Sequence, residues 1–177
     1  MYIGRNGALT AKLTDQSETS SGTSIRAERP DPAAAVVKST MLSHGTLECR
    51  DLAESRRFYE QFLGLETVFH GTRTMMIRKG GYWSVVCVRR GDKVRPMGPL
   101  NHWGVDVASR EEVDAAREDA LKYSDEYGIR EVNQARDQHG VYSFYLQDLD
   151  GNWWEIQSVP EAGYHDALFE RGDQGEL

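Results

Sequence analysis

Ser143-Phe-Tyr-Leu-Gln-Asp-Leu-Asp-Gly-Asn-Trp-Trp-Glu-Ile-Gln157 is the stretch on which the reading of the fold turns. Its residues alternate on both sides of Asp150-Gly151, the pattern of two strands joined by a tight turn. Tyr145 then shares a face with Ser143 and Gln147, and Glu155 shares one with Trp153 and Gln157. A carboxylate in an aromatic strand is costly unless it is solvated, hydrogen-bonded or bound to a cation.

Upstream, the pattern occurs twice. A strand over Leu42–Cys49 places His44, Thr46 and Glu48 on one face. Asp51, with Glu54 three residues on, caps a helix that Gly64 ends. Strands are expected near 65–70, 73–79 and 83–89. The second copy opens with a strand over Asn101–Val107 and a longer helix capped by Ser109 and stopped by Gly128; strands near 130–136, 141–148 and 152–159 complete it. His44 and His102 hold the same place in their first strands. The expected fold is α+β: two β-α-β-β-β modules, about 41–95 and 100–160, packed together because neither sheet can bury its face alone.

The flanks differ. Residues 1–40 are polar and low in complexity, with Pro30, Pro32 and three consecutive alanines, and read as a flexible arm. Residues 161–177 read as a tail. A formal net charge of −7 argues against nucleic-acid and anionic-membrane partners. The only cysteines, Cys49 and Cys87, lie in apolar strand-like runs, which argues for a reducing compartment. With no run long enough to cross a bilayer, a cytoplasmic protein is expected.

Two imidazoles from equivalent strands, His44 and His102, and the carboxylate of Glu155 make a facial set with open positions. Such a set suits Fe(II) and tolerates Mn or Zn.

These residues resemble the vicinal oxygen chelate superfamily, which includes glyoxalase I, extradiol dioxygenases, fosfomycin-modifying thiol transferases and bleomycin-resistance proteins. The resemblance rests on Ser43-His-Gly-Thr-Leu47, on Arg50–Leu65, on Asn101-His-Trp-Gly-Val105 and on Ser143–Glu155. It implies curved mixed sheets around a metal held by His44, His102 and Glu155. Glyoxalase I takes a fourth ligand from the strand Trp83–Val88, where Val85 or Cys87 offers no oxygen. Extradiol dioxygenases carry a tyrosine that Tyr145 matches; their acid-base histidine falls at about Tyr82 or Trp83 and their second histidine is out of register with His139, which stands close enough for its loop to bring it to the site as an acid-base partner. Fosfomycin-modifying enzymes have a histidine and threonine like His44 and Thr46, and a serine and tyrosine like Ser143 and Tyr145, but their phosphonate-neutralising lysine falls near Asn133 or Ala135. The expected activity is ring cleavage of a catechol-like substrate, with Tyr145, His139 and Thr46 as catalytic residues. Thiol transfer, a glyoxalase-like lyase or isomerase reaction, and metal-free sequestration are the alternatives. Relatives with this module count commonly pair module one of one subunit with module two of another, so a homodimer with shared sites is expected.

Overall fold

In a computed structural model of the chain, the residues described are 34–160 and 164–172. Most of the expected arm and part of the expected tail lie outside the described residues. Residues Val37–Gln174 form one compact unit.

Strand β1 (His44–Cys49) leads into α1 (Leu52–Arg57), whose N-terminus is closed by Asp51 accepting from the Ala53 and Glu54 amides. The helix then widens into a π-helix over Phe58–Phe62, closed by the Leu63 amide bonding the Phe58 carbonyl. Gly64, at φ 65°, ends it as its sequence position predicts. Strands β2 (Glu66–Phe69), β3 (Thr74–Arg78) and β4 (Ser84–Arg89) follow. The sheet order is β1-β4-β3-β2, with β1 parallel to β4 and the other neighbours antiparallel.

The second module repeats the scheme with β5 (His102–Asp106), α2 (Arg110–Lys122) and a short α3 (Ser124–Tyr127) stopped by Gly128. Ser109 accepts from the Glu112 amide, and the Glu112 carboxylate accepts from the Ala108 amide. The single strand expected near 130–136 is instead two short ones, β6 (Glu131–Val132) and β7 (Arg136–Gln138), both paired with β8 (Val141–Gln147). Strand β9 (Trp153–Ser158) lies between β8 and β5. Both sheets are mixed and curved, and neither is closed. A final helix, α4 (Tyr164–Arg171), occupies part of the stretch expected to be a tail. No helix among the described residues is long and apolar enough to cross a membrane.

The two modules share one core. Leu47, Phe58, Tyr59, Met75 and Ile77 from the first pack in one cluster with Val113, Phe144, Leu146, Trp154 and Ile156 from the second. Each such side chain contributes roughly 1.5–3 kcal/mol on burial. Cys49 and Cys87 are free thiols buried in this cluster.

Candidate metal centre

Alternation along β8 and β9 sets the second sheet's polar face. Tyr145 is opposite Glu155 on one side, and Gly104 of β5 is opposite it on the other. His102, two residues earlier on β5, lies on the same face and reaches Glu155. Glu155 is only 5% exposed, and burial of a carboxylate calls for compensating partners.

Its partners are visible. One oxygen, Oε1, accepts from Ser143 Oγ at 2.6 Å, and Ser143 in turn accepts from Gln138 Nε2 at 2.6 Å. The other, Oε2, stands 3.2 Å from His102 Nε2. The far side of that imidazole is fixed, because Nδ1 lies 2.7 Å from the Pro99 carbonyl. A carbonyl only accepts, so Nδ1 carries a proton and Nε2 is the ring nitrogen that faces the carboxylate oxygen. Two acceptors that close require a positive species between them: a second proton or a metal cation. Ligand atoms roughly 2.0–2.2 Å from one metal and at right angles to each other are separated by about 3 Å, so the donor pair fits a divalent metal as it stands.

His139 arrives from a different direction. It occupies a two-residue turn between β7 and β8, with Gln138 opposite Val141. His139 (φ 41°) and Gly140 (φ 91°) both adopt positive φ, the geometry of a type I′ hairpin. A non-glycine residue there is uncommon, and here it brings Nε2 to 3.1 Å from the Tyr145 hydroxyl and 3.7 Å from Glu155 Oε1. Tyr164 of α4 donates to the His139 carbonyl at 3.3 Å, tying the last helix to this turn. Burial, then the hydrogen bond to Glu155 and its charge, push the Tyr145 phenol up to about 12. It therefore stays a donor at neutral pH. His102 and Tyr145 pack edge to face, their ring centres 4.9 Å apart.

Residues 41–156 match the Glyoxalase/Bleomycin resistance protein/Dioxygenase superfamily. The chain belongs to that superfamily. Solved structures of the same fold include a glyoxalase-related enzyme from Fulvimarina pelagi (22% identity, 69% of this chain and 90% of that one, TM-score 0.56). The fosfomycin resistance protein FosX of Listeria monocytogenes (21%, 71% and 98%, 0.53) and hypothetical protein SA1046 of S. aureus (19%, 71% and 96%, 0.53) are others. No curated protein matches the sequence.

In this member of the glyoxalase superfamily, one chain brings together His102, Glu155, Tyr145 and His139. His44 stands apart. Its Nδ1 pairs with Ser43 Oγ at 2.8 Å, which leaves Nε2 outward, and it shares an exposed face with Thr46. Among the described residues no group of three or more His, Cys, Asp or Glu side chains is placed to hold a metal. The expected convergence of His44 with His102 and Glu155 is therefore not met within one chain. The reason is topological: β1 and β5 are edge strands of different sheets, and the Trp103 indole lies against Gly45 of β1.

Three neighbouring side chains complete the picture. Trp153 is buried, and its indole N–H donates to the Met97 carbonyl of the intermodule connection. Val85 and Cys87 are buried on the core side of β4; the residues facing His44's side are Ser84 and Val86, and neither offers a carboxylate. Ser143 donates its hydroxyl hydrogen bond to Glu155. The contributions of Pro99 and Gln138 went unread in the sequence. A backbone carbonyl leaves no residue-type signal, and Gln138 gains its role only from the β7–β8 pairing.

Proposed function

We propose that the protein is a divalent-metal-dependent enzyme acting on a small molecule, with His102 and Glu155 of one chain and His44 of a second copy as ligands. The observation that carries this is the His102 Nε2–Glu155 Oε2 approach of 3.2 Å with Nδ1 already committed to Pro99. Occupied Nδ1 atoms on both histidines leave both Nε2 atoms for a metal. Two histidines and a carboxylate favour Fe(II), with Mn and Zn tolerated.

For the reaction, the arrangement of His139 and Tyr145 favours ring cleavage of a catechol-like substrate. A bound divalent metal would supply Lewis acidity toward a substrate hydroxyl. His139 Nε2 is placed to take the hydroxyl proton, and its turn holds it on the side of the site where Tyr145 sits. Tyr145, held protonated by burial and by Glu155, donates a hydrogen bond to negative charge developing on the substrate oxygen. Ser143, backed by Gln138, holds Glu155 in orientation.

Metal analysis of protein purified without chelator tests the centre. About one metal per chain is the expected result, and Glu155→Ala should abolish it while circular dichroism stays unchanged. Iron together with O2 uptake on catechols supports ring cleavage, whereas Mn with thiol consumption would replace it by thiol transfer. Metal-free protein that binds aromatic compounds stoichiometrically would make the protein a sequestering one and sink the enzyme reading.

A further inference from the structure

We propose that the face of β2–β4 turned away from the core carries a subsite for the anionic end of an otherwise apolar substrate, gripped by Arg78 and tuned by Glu66. Its relation to the reacting centre rests on the role proposed for His44, but its own test needs no metal.

The register defines the subsite. His44 is opposite Ser84, Val85 opposite Ile77, and Glu66 opposite Arg78. Continuing β3–β4 by one residue brings Ser84 beside Arg78, so His44, Ser84, Arg78 and Glu66 form one row across all four strands. The next row on that face is Thr46, Val86, Met76 and Val68, which is mostly apolar. A cavity of about 510 Å³ opens over this surface, lined by Glu66, Val68, Met76, Arg78, Tyr82 and Ser84, together with Thr67. Two strand spacings, roughly 10 Å, separate the His44 and Arg78 backbones, which suits a molecule with one end at each.

Arg78 is the one basic residue in that lining. Its Nε and Nη2 both contact a single Glu66 oxygen, Oε2, at 3.0 Å. Of the five guanidinium N–H donors, those on Nη1 therefore bond nothing among the described residues. Both partners are more than half exposed, so the pair itself is weak and can re-form around a second anion. The hydroxyls of Ser84 and Tyr82 also bond no described residue, and they border the same space. A carboxylate or phosphonate would find a planar fork and two hydroxyl donors, with Met76 and Val68 under its apolar body. Glu66 offsets the charge of Arg78, so the subsite holds anions only moderately.

NMR titration of the full-length chain with benzoate, phenylphosphonate and neutral benzamide provides the test. Both anions should bind and shift the Arg78 Nε–H and the Ser84 amide, benzamide should not, and the tighter anion identifies the head group. Arg78→Met should weaken anion binding by roughly tenfold or more, and Glu66→Gln should tighten it. Benzamide binding as well as benzoate, an Arg78→Met affinity equal to wild type, no anion binding, or shifts confined to other strands would each overturn the proposal. Metal content measured on the same samples separates the two readings. Metal-free protein that still binds the anions as expected keeps the subsite and removes the centre, and metal-loaded protein blind to anions does the reverse.

Discussion

Gly45 has no room for a methyl group. A Cβ there would stand 2.2 and 2.6 Å from Cη2 and Cζ3 of Trp103, a ring wedged beside the core and unable to swing aside freely. Gly45→Ala should therefore cost roughly 1–3 kcal/mol by urea denaturation, and Trp103→Leu in the same chain should recover part of that loss. Equal midpoints for wild type and Gly45→Ala would show that the contact is not tight. At Tyr145 the expectation is a shift in titration. Because Glu155 opposes phenolate formation, Glu155→Gln should lower the Tyr145 pKa from about 12, though burial keeps it above the ordinary value. Tyrosine-labelled carbon NMR on metal-free protein reads this directly, and an unmoved resonance midpoint would deny the coupling. The sign for stability follows from the raised value. The neutral phenol's contribution is complete below the unfolded pKa, about 10, and is lost as pH rises through the folded one.

The element that joins the modules is the β8–β9 turn, Asp148-Leu-Asp-Gly-Asn152. Asp148 is fully buried and accepts from the Asp150 and Asn152 amides, the Asn152 side chain, the Trp154 indole and the Tyr59 hydroxyl. Burial pushes its carboxyl upward, while the Asn152 and Trp154 donors pull the other way. Asp150 reaches back to the first module, accepting from the Arg50 amide at 2.8 Å and from Ser55 Oγ at 2.6 Å. Asn152 donates to the Glu48 carbonyl. Asp148→Ala strands those donors in the interior and should cost about 3 kcal/mol or more in chemical unfolding. An unchanged midpoint would mean that the turn does not hold the modules together. Asp150-Gly151 was legible as a turn because only glycine readily takes the φ of 91° found there. That its carboxylates clamp the first module was not legible, since their partners lie about a hundred positions away in the chain.

At the scale of the whole molecule, the first sheet presents an exposed face. His44 and Thr46 are exposed, and just beyond the His44–Ser84 pair Leu42 and Tyr82 are 80% and 90% exposed; Leu100, before β5, is 94% exposed. Apolar surface gathered at the strand ends that bear the two histidines favours burial against a second copy. If the copies exchange modules, mixing His44→Ala with Glu155→Ala should give heterodimers with one intact site, restoring metal binding in the mixture. A mixture as empty as either parent, or a monomer in sedimentation, would reject the shared centre.

Residue type and spacing carried the two-module repeat, the helix caps at Asp51 and Ser109, the glycine stops and the alternation that sets Tyr145 and Glu155 on facing strands. Each of these is local, carried by residue type and a period of two or a few positions. Tertiary structure alone decided that His139 reaches Tyr145, that Pro99 orients His102, and that His44 stands apart within its own chain. Those outcomes depend on how edge strands of separate sheets and a left-handed turn are placed in space, and neither periodicity nor residue type encodes that placement.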